Sequence, residues 1–307
     1  RDEEWKYTYV RAIAQGNFAL AESAEFSQAQ AAAITLPLDA YRLTFVDGVF
    51  SAALSDLDAL PDSVQVMPLS KALTDNHEAV GGPLGRLTGV DFSPFAALNT
   101  AFMEEGAVVR IAPSTVVEKP ILLQFLSRAG TPVMSHPRIL VEAAGRSEAT
   151  LIEHYVGEAD AANFTNVVAE LMLGRGAILN HYKLQEAPLG DLHVASIHVE
   201  QNRDSRYTSY NLNLGGALVR NDLISDLNGQ GAETNFYGLF FGQGRQHVDN
   251  HTKVNHNAPL TFSNENYKGI LDDRAHGVFN GKVYVKRDSQ KIEGFQSNQN
   301  LLLSDRA

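Results

Sequence analysis

From Ala107 to the end of the chain, about 200 residues, no segment repeats apolar residues at helical spacing for three turns. Short extended runs follow one another instead: Val108–Ile111, Ile121–Leu126, Arg138–Glu142, Thr150–Val156, Val167–Leu173, Ile178–Leu184, Val194–Glu200 and Tyr207–Leu214. Several alternate, as where Ala195, Ile197 and Val199 oppose Ser196, His198 and Glu200, the period of a strand with two unlike faces. Gly145-Arg146, Gly174-Arg175-Gly176, Pro188-Leu189-Gly190 and Gly215-Gly216 punctuate them. Near the end, Phe279, Gly281, Val283 and Val285 alternate with Val278, Asn280, Lys282, Tyr284 and Lys286. Arg287-Asp288-Ser289 then turns the chain into a further extended run ending at Leu301-Leu302-Leu303. Sandwich, barrel and β-helix are the architectures open to such a chain, and a single sandwich of this length is oversized. Asn180, Asn211, Asn213, Asn280, Asn298 and Asn300 recur in strands that otherwise read as buried. Asparagines stacked coil over coil would bond one another, so this pattern favours a mainly β fold of the parallel β-helix, or solenoid, type over residues 107–307.

Residues 1–106 are mixed and hold most of the helical signal. Phe18 to Ala33, rich in Ala, Glu and Gln, predicts a helix. Asp47-Gly48 inside Leu43–Phe50 predicts a tight hairpin. Pro68 to His77 predicts a short helix, and Pro94 to Glu105 a longer one. For the latter Ser93 is the N-cap, Pro94 the first helical residue and Gly106 the left-handed residue past the end, with Phe95, Leu98 and Phe102 on one face.

The formal net charge of −11 argues against a nucleic-acid partner and against an anionic membrane surface. The absence of cysteine excludes disulfides and thiolate ligands within these residues. No apolar run approaches the ~20 residues of a membrane span. The opening RDEEWKYTYV is charged and aromatic, unlike a signal peptide, so a cytoplasmic protein is expected.

Three residues suggest metal chemistry. His247, Asp249 and His251 share one face of an extended strand, and imidazoles with a carboxylate could hold zinc or iron; His256 falls on the opposite face. Glu153 and His154 are neighbours on a strand and point apart, so they form no catalytic pair. Neither a G-x-S-x-G elbow nor a phosphate-binding loop is present, and Gly229-Gln230-Gly231 and Gly242-Gln243-Gly244 read as turns. A β-helix enzyme acting on carbohydrate would need a row of carboxylates with Lys or Arg. Asp272-Asp273-Arg274 with Lys253 is the nearest approach, and its two acids face apart. The residues alone therefore supply no catalytic constellation, with the carbohydrate enzyme and a metal-binding protein using His247 and His251 as alternatives.

Several motifs resemble one family. Glu4-Trp5-Lys6-Tyr7-Thr8, Arg42 to Ser51 (RLTFVDGVFS) and His136-Pro137-Arg138 followed by Leu151-Ile152-Glu153 are similar to segments of the SufB/SufD proteins. The strongest match is YKGILDDRAHGVFNGKVYVKRDSQKIEGFQSNQNLLLSDRA, from Tyr267 to Ala307. The tryptophan near the start and the histidine-bearing run before YKGI favour the SufD side over SufB. The resemblance implies a right-handed parallel β-helix with an N-terminal helical region, and a C-terminal helical region that is absent here. It implies a non-enzymatic scaffold subunit that pairs with a SufB-like paralogue through the β-helices, with a SufC-like ATPase docked on the helical region. The iron–sulfur cluster is expected to be assembled in the full complex, with no cofactor bound by this segment alone. The family's C-x-H-G-A-T motif, expected downstream of NLLLS, matches no position, so no residue of it can be carried over. From the strand pattern, Val278, Phe279, Asn280, Gln296, Asn298, Asn300 and Leu301 are expected near the partner interface, and a homodimer could form in isolation.

Overall fold

A computed structural model describes residues 3–21, 25–75, 80–159 and 161–307. Nineteen strands run in chain order through it. The first seven are β1 (Ala19–Leu20), β2 (Tyr41–Val46), β3 (Val49–Phe50), β4 (Val64–Pro68), β5 (Gly106–Ile111), β6 (Ile121–Ser127) and β7 (Val133–Ser135). Then come β8 (Arg138–Ala143), β9 (Glu148–Gly157), β10 (Phe164–Leu173), β11 (Ile178–Glu186), β12 (Leu192–Gln201) and β13 (Arg206–Asn213). The last six are β14 (Leu218–Leu227), β15 (Glu233–Gly242), β16 (His247–His256), β17 (Phe262–Leu271), β18 (His276–Val285) and β19 (Glu293–Leu302).

From β8 onward, successive strands alternate between two sheets. One runs β18-β16-β14-β12-β10-β8-β5-β4, the other β19-β17-β15-β13-β11-β9-β6-β2-β3. Every pairing from β5 and β6 onward is parallel, so each coil stacks on the one before. Leu192 pairs with Leu218 and Leu218 with His247, giving coils of 26 and then 29 residues. The result is the expected parallel β-solenoid, of about 7 turns. Its sheets extend back into the N-terminal region, where β2 pairs parallel with β6 and β4 antiparallel with β5.

Alternation explains the core. Inward-pointing Val, Leu, Ile and Ala of both sheets meet in one apolar cluster running from Tyr41 and Leu43 to Val254 and Tyr267. In-register strands also stack like on like. Phe45, Phe125 and Tyr155 form an inner aromatic ladder with ring centroids 5.2 and 4.7 Å apart. Tyr182, Tyr210 and Tyr237 form a second one on the outer face, at 4.5 and 5.3 Å. The six asparagines singled out above do not stack on one another. Asn211 pairs in register with Lys183 and Gly238, Asn280 with His251, Asn298 with Tyr267 and Asn300 with Gly269. The asparagines that do stack coil over coil are others, Asn221 on Asn250 and Asn235 on Asn264. Asn221 donates to Asn250 in the coil above at 3.0 Å, and Asn211 and Asn213 reach Asn250 from the opposite sheet at 3.4 and 3.3 Å, all inside the solenoid.

The N-terminal region follows its local signals in part. Asp47 and Gly48 take positive φ (49° and 88°) and close the β2–β3 hairpin as anticipated. A helix at Leu69–Asp75 fits the short one expected; His77 lies outside the described residues. Of the helix placed at Phe18–Ala33, residues 22–24 lie outside the described residues; the described helix is Gln28–Ile34, capped by Ser27, while Ala19–Leu20 are β1. Pairing with β7 overrides the helical propensity of that stretch. The helix from Pro94 ends at Phe102 rather than Glu105, and Ser93 caps it by accepting from the Ala96 amide at 3.0 Å. Gly106 is no helix terminator. It opens β5 at φ 149°, where a Cβ would sit 1.9 Å from the Arg138 carbonyl oxygen.

Loop 80–92 is fixed to the outer face of the first sheet by one buried carboxylate. Glu170 accepts from the amides of Gly85 (2.8 Å), Leu87 (2.7 Å) and Thr88 (3.2 Å) and from the guanidinium of Arg138, both side chains being fully buried. Asn99 on the following helix accepts from Arg138 and donates to the Pro137 and Asn166 carbonyls. His136-Pro137-Arg138 thus holds helix and loop together against the solenoid. None of the described helices is long and apolar enough to cross a membrane.

Candidate functional site: the last coil and the outer face beside it

The solenoid ends, among the described residues, on two ten-residue strands that pair on one side only. β18 pairs with β16 and β19 with β17. All of β19 and the last four residues of β18 are exposed. Phe295, Leu301, Leu302 and Leu303 are each more than half exposed, and Val283 and Val285 are exposed beside them. A buried coil would cover these groups, since an apolar edge with free N–H and C=O groups is a template for another chain.

The expected interface residues all lie on this coil, on different faces. Gln296, Asn298 and Asn300 continue the inward rows of Glu265, Tyr267 and Gly269, so they cap the interior. Phe279 also points inward and meets Tyr267 at 4.8 Å. Val278, Asn280 and Leu301 face outward, Asn280 into a cavity of about 210 Å³.

That cavity lies on the outer face of β14, β16 and β18, beneath the N-terminal segment. Trp5 and Phe92 wall it, and Arg220, His251, Lys253 and Lys282 are among its lining residues. Trp5 lies over the Arg220 guanidinium at 4.6 Å and packs on Phe95, and Arg220 donates to the Glu4 carbonyl. The Glu4 side chain accepts from Lys282 and lies 3.5 Å from His251. Thr8 donates to Asp249 and bonds His247 at 2.9 Å. Residues 4–8 are thereby strapped across three coils.

His247, Asp249 and His251 do share this outer face, and His256 points inward to Thr261 and Ser263, as the parity count anticipates. Asp249 is committed to ion pairing, and His247 is held by hydrogen bonds to Thr8 and His276. Arg220 binds Asp249 at 2.5 Å and Asp222 at 2.6 Å, which commits the Asp249 carboxylate. Burial pushes the Asp249 carboxyl up, but His251, Arg220 and Thr8 together hold it below the ordinary range. Among the described residues no group of three or more His, Asp or Glu has a metal-holding arrangement.

The interior holds a second polar cluster that sequence reasoning missed as a unit. Glu153, fully buried, accepts from Tyr155 and bonds His181 at 2.8 Å; the other ring nitrogen of His181 meets the Tyr207 hydroxyl at 2.8 Å. Lys183, one inward position on from His181, donates to Asn221 and lies over the Tyr155 ring. Burial pulls its ammonium down to about 8 despite Glu153. His154 points to the other face and meets Glu186, so Glu153 and His154 are apart, as expected. Asp273 follows β17 in a turn at φ 57°, on a different element from Lys253 of β16.

Fold and site together define a parallel β-solenoid whose last described coil pairs on one side and exposes apolar side chains, with polar groups in ion pairs and internal networks. Comparison with known proteins gives the family. The family model for the SUF system FeS cluster assembly SufBD core domain matches residues 125–307, and that for the SufBD protein N-terminal region residues 1–123. The chain belongs to the SufBD family of SUF-system iron–sulfur cluster assembly. It is 32% identical to an iron–sulfur cluster assembly SufBD family protein of Synechocystis sp., over all of this chain and 70% of that protein. It is 29% identical to the iron–sulfur cluster assembly protein SufD of Escherichia coli, over 99% of this chain and 69% of that protein. A SufD of Bacillus subtilis is 22% identical over 71% of the chain and 50% of its own length.

Proposed function

We propose that this chain is a non-catalytic, cytoplasmic scaffold subunit of a SUF assembly complex, pairing end-on with a SufB-type paralogue. A SufC-type ATPase completes the assembly, and the cluster is built by the complex rather than by this chain alone. The observation that carries the reading is the last coil, with two unpaired ten-residue edges beside exposed Phe295, Leu301 and Leu302. Parallel strands of a second solenoid could extend both sheets there. Family membership and the SufD relatives support the direction. The test is co-purification with a SufB-type paralogue after Phe295→Glu and Leu301→Glu. Charge at an apolar interface core should abolish recovery of the pair. Binding at wild-type level would place the contact elsewhere.

A further inference from the structure

His247 and His276 are register partners on β16 and β18, one coil apart. Their ring planes lie 12° apart and their Nδ1 atoms approach to 3.1 Å. Two neutral imidazoles can share such a contact only if one nitrogen carries the proton and the other offers a lone pair. The surroundings decide which. The Thr8 hydroxyl donates to Asp249, so its oxygen must accept from Nε2–H of His247. That puts the His247 proton on Nε2 and turns the Nδ1 lone pair toward His276. A carboxylate holding an imidazole in one tautomer through its far nitrogen is the support that metal-ligating histidines ordinarily have, here relayed by a threonine.

We propose that His247 and His276 form a two-imidazole site for a divalent transition-metal ion of the Zn²⁺, Co²⁺ or Ni²⁺ type. Zn–N bonds of ~2.0–2.1 Å at a tetrahedral angle set the two nitrogens ~3.3–3.4 Å apart, so the pair needs to open by only about 0.3 Å. His276 is exposed, so it can move its proton to Nε2, freeing Nδ1, and solvent can complete the coordination. Asp249, two residues along β16 from His247 and bridged to it by Thr8, places a carboxylate beside the pair. Of the ligands that the sequence pattern offers, Asp249 is committed to Arg220 and Thr8, and His251 lies farther along the strand beside Glu4.

The test is calorimetric titration of the chelator-stripped chain with Co²⁺ and with Zn²⁺, alongside the visible spectrum of the Co²⁺ form. One equivalent should bind. His276→Ala and His247→Ala should each weaken binding at least tenfold, and His251→Ala should leave it intact. Thr8→Val, which removes the tautomer lock, should cost about tenfold. His276 is exposed, so its variant keeps the fold, to be verified by near-UV circular dichroism. Absence of binding, binding that survives His276→Ala, or loss on His251→Ala would overturn the assignment.

Discussion

Lys183 governs how stability changes with pH at the alkaline end. It is fully buried, and its folded pKa of about 8 lies below the 10.5 of a free lysine. Between pH 8 and 10.5 the unfolded chain binds the proton and the folded chain does not, so stability rises with pH in that window. Below pH 8 the burial penalty is present in full, about 3 kcal/mol from a shift of this size. Lys183→Met should therefore be neutral or stabilising at pH 7, and its urea midpoint should lose the rise that wild type shows from pH 8 to 10. His136 acts at the other end of the scale: burial lowers it to about 4. Its contribution is complete above pH 6.5 and is lost as pH falls toward 4, because the unfolded chain gains a proton first. The Arg138–Glu170 pair gives a larger effect. Glu170→Ala strands a buried guanidinium and three amides, and should cost about 3–5 kcal/mol in urea unfolding. Proteolysis should then cut first in loop 80–92, which that carboxylate holds.

At the scale of elements, strands were legible and their partners were not. Alternation in Val194–Glu200 or Gly277–Val285 is a local pattern, read directly from neighbouring residues. Pairing is set one coil on, and coils of 26 and 29 residues leave no fixed period to read. That is why the asparagines singled out were not the ones that stack, Asn221 on Asn250, why the ladder Phe45–Phe125–Tyr155 went unread, and why His276 escaped notice beside His247. The alternation did place His247, Asp249 and His251 on one face. It could not show Arg220, 29 residues earlier, taking the carboxylate. Gly106 shows the same limit. Helix-end statistics suit it, yet its role is set by Arg138, against whose backbone it packs. Gly106→Ala should destabilise by about 3 kcal/mol or more, because the obstacle is backbone that cannot swing aside. A thermal melt distinguishes this from the loss of well under 1 kcal/mol expected were the glycine a simple terminator.

For the whole molecule, the exposed last coil predicts self-association. The isolated chain should show a mass in light scattering that rises with concentration, and Leu301→Lys or a proline at Asn298 should suppress it, by charge and by removal of an edge N–H. The strap of residues 4–8 bears on something else. A stack in which each coil touches only its neighbours can fray from an open end, coil by coil. Here the first residues of the chain grip β14, β16 and β18, across 239 positions between Thr8 and His247 and 278 between Glu4 and Lys282. The last coils therefore cannot peel away without also releasing the start of the chain. A linear array becomes, in its unfolding, close to a closed ring. Deleting residues 1–9 should break that closure. Hydrogen exchange would then change from uniform protection of β14, β16 and β18 to a gradient rising inward from β19. An unchanged protection profile would mean that the strap rests on the solenoid without binding its ends into one cooperative unit.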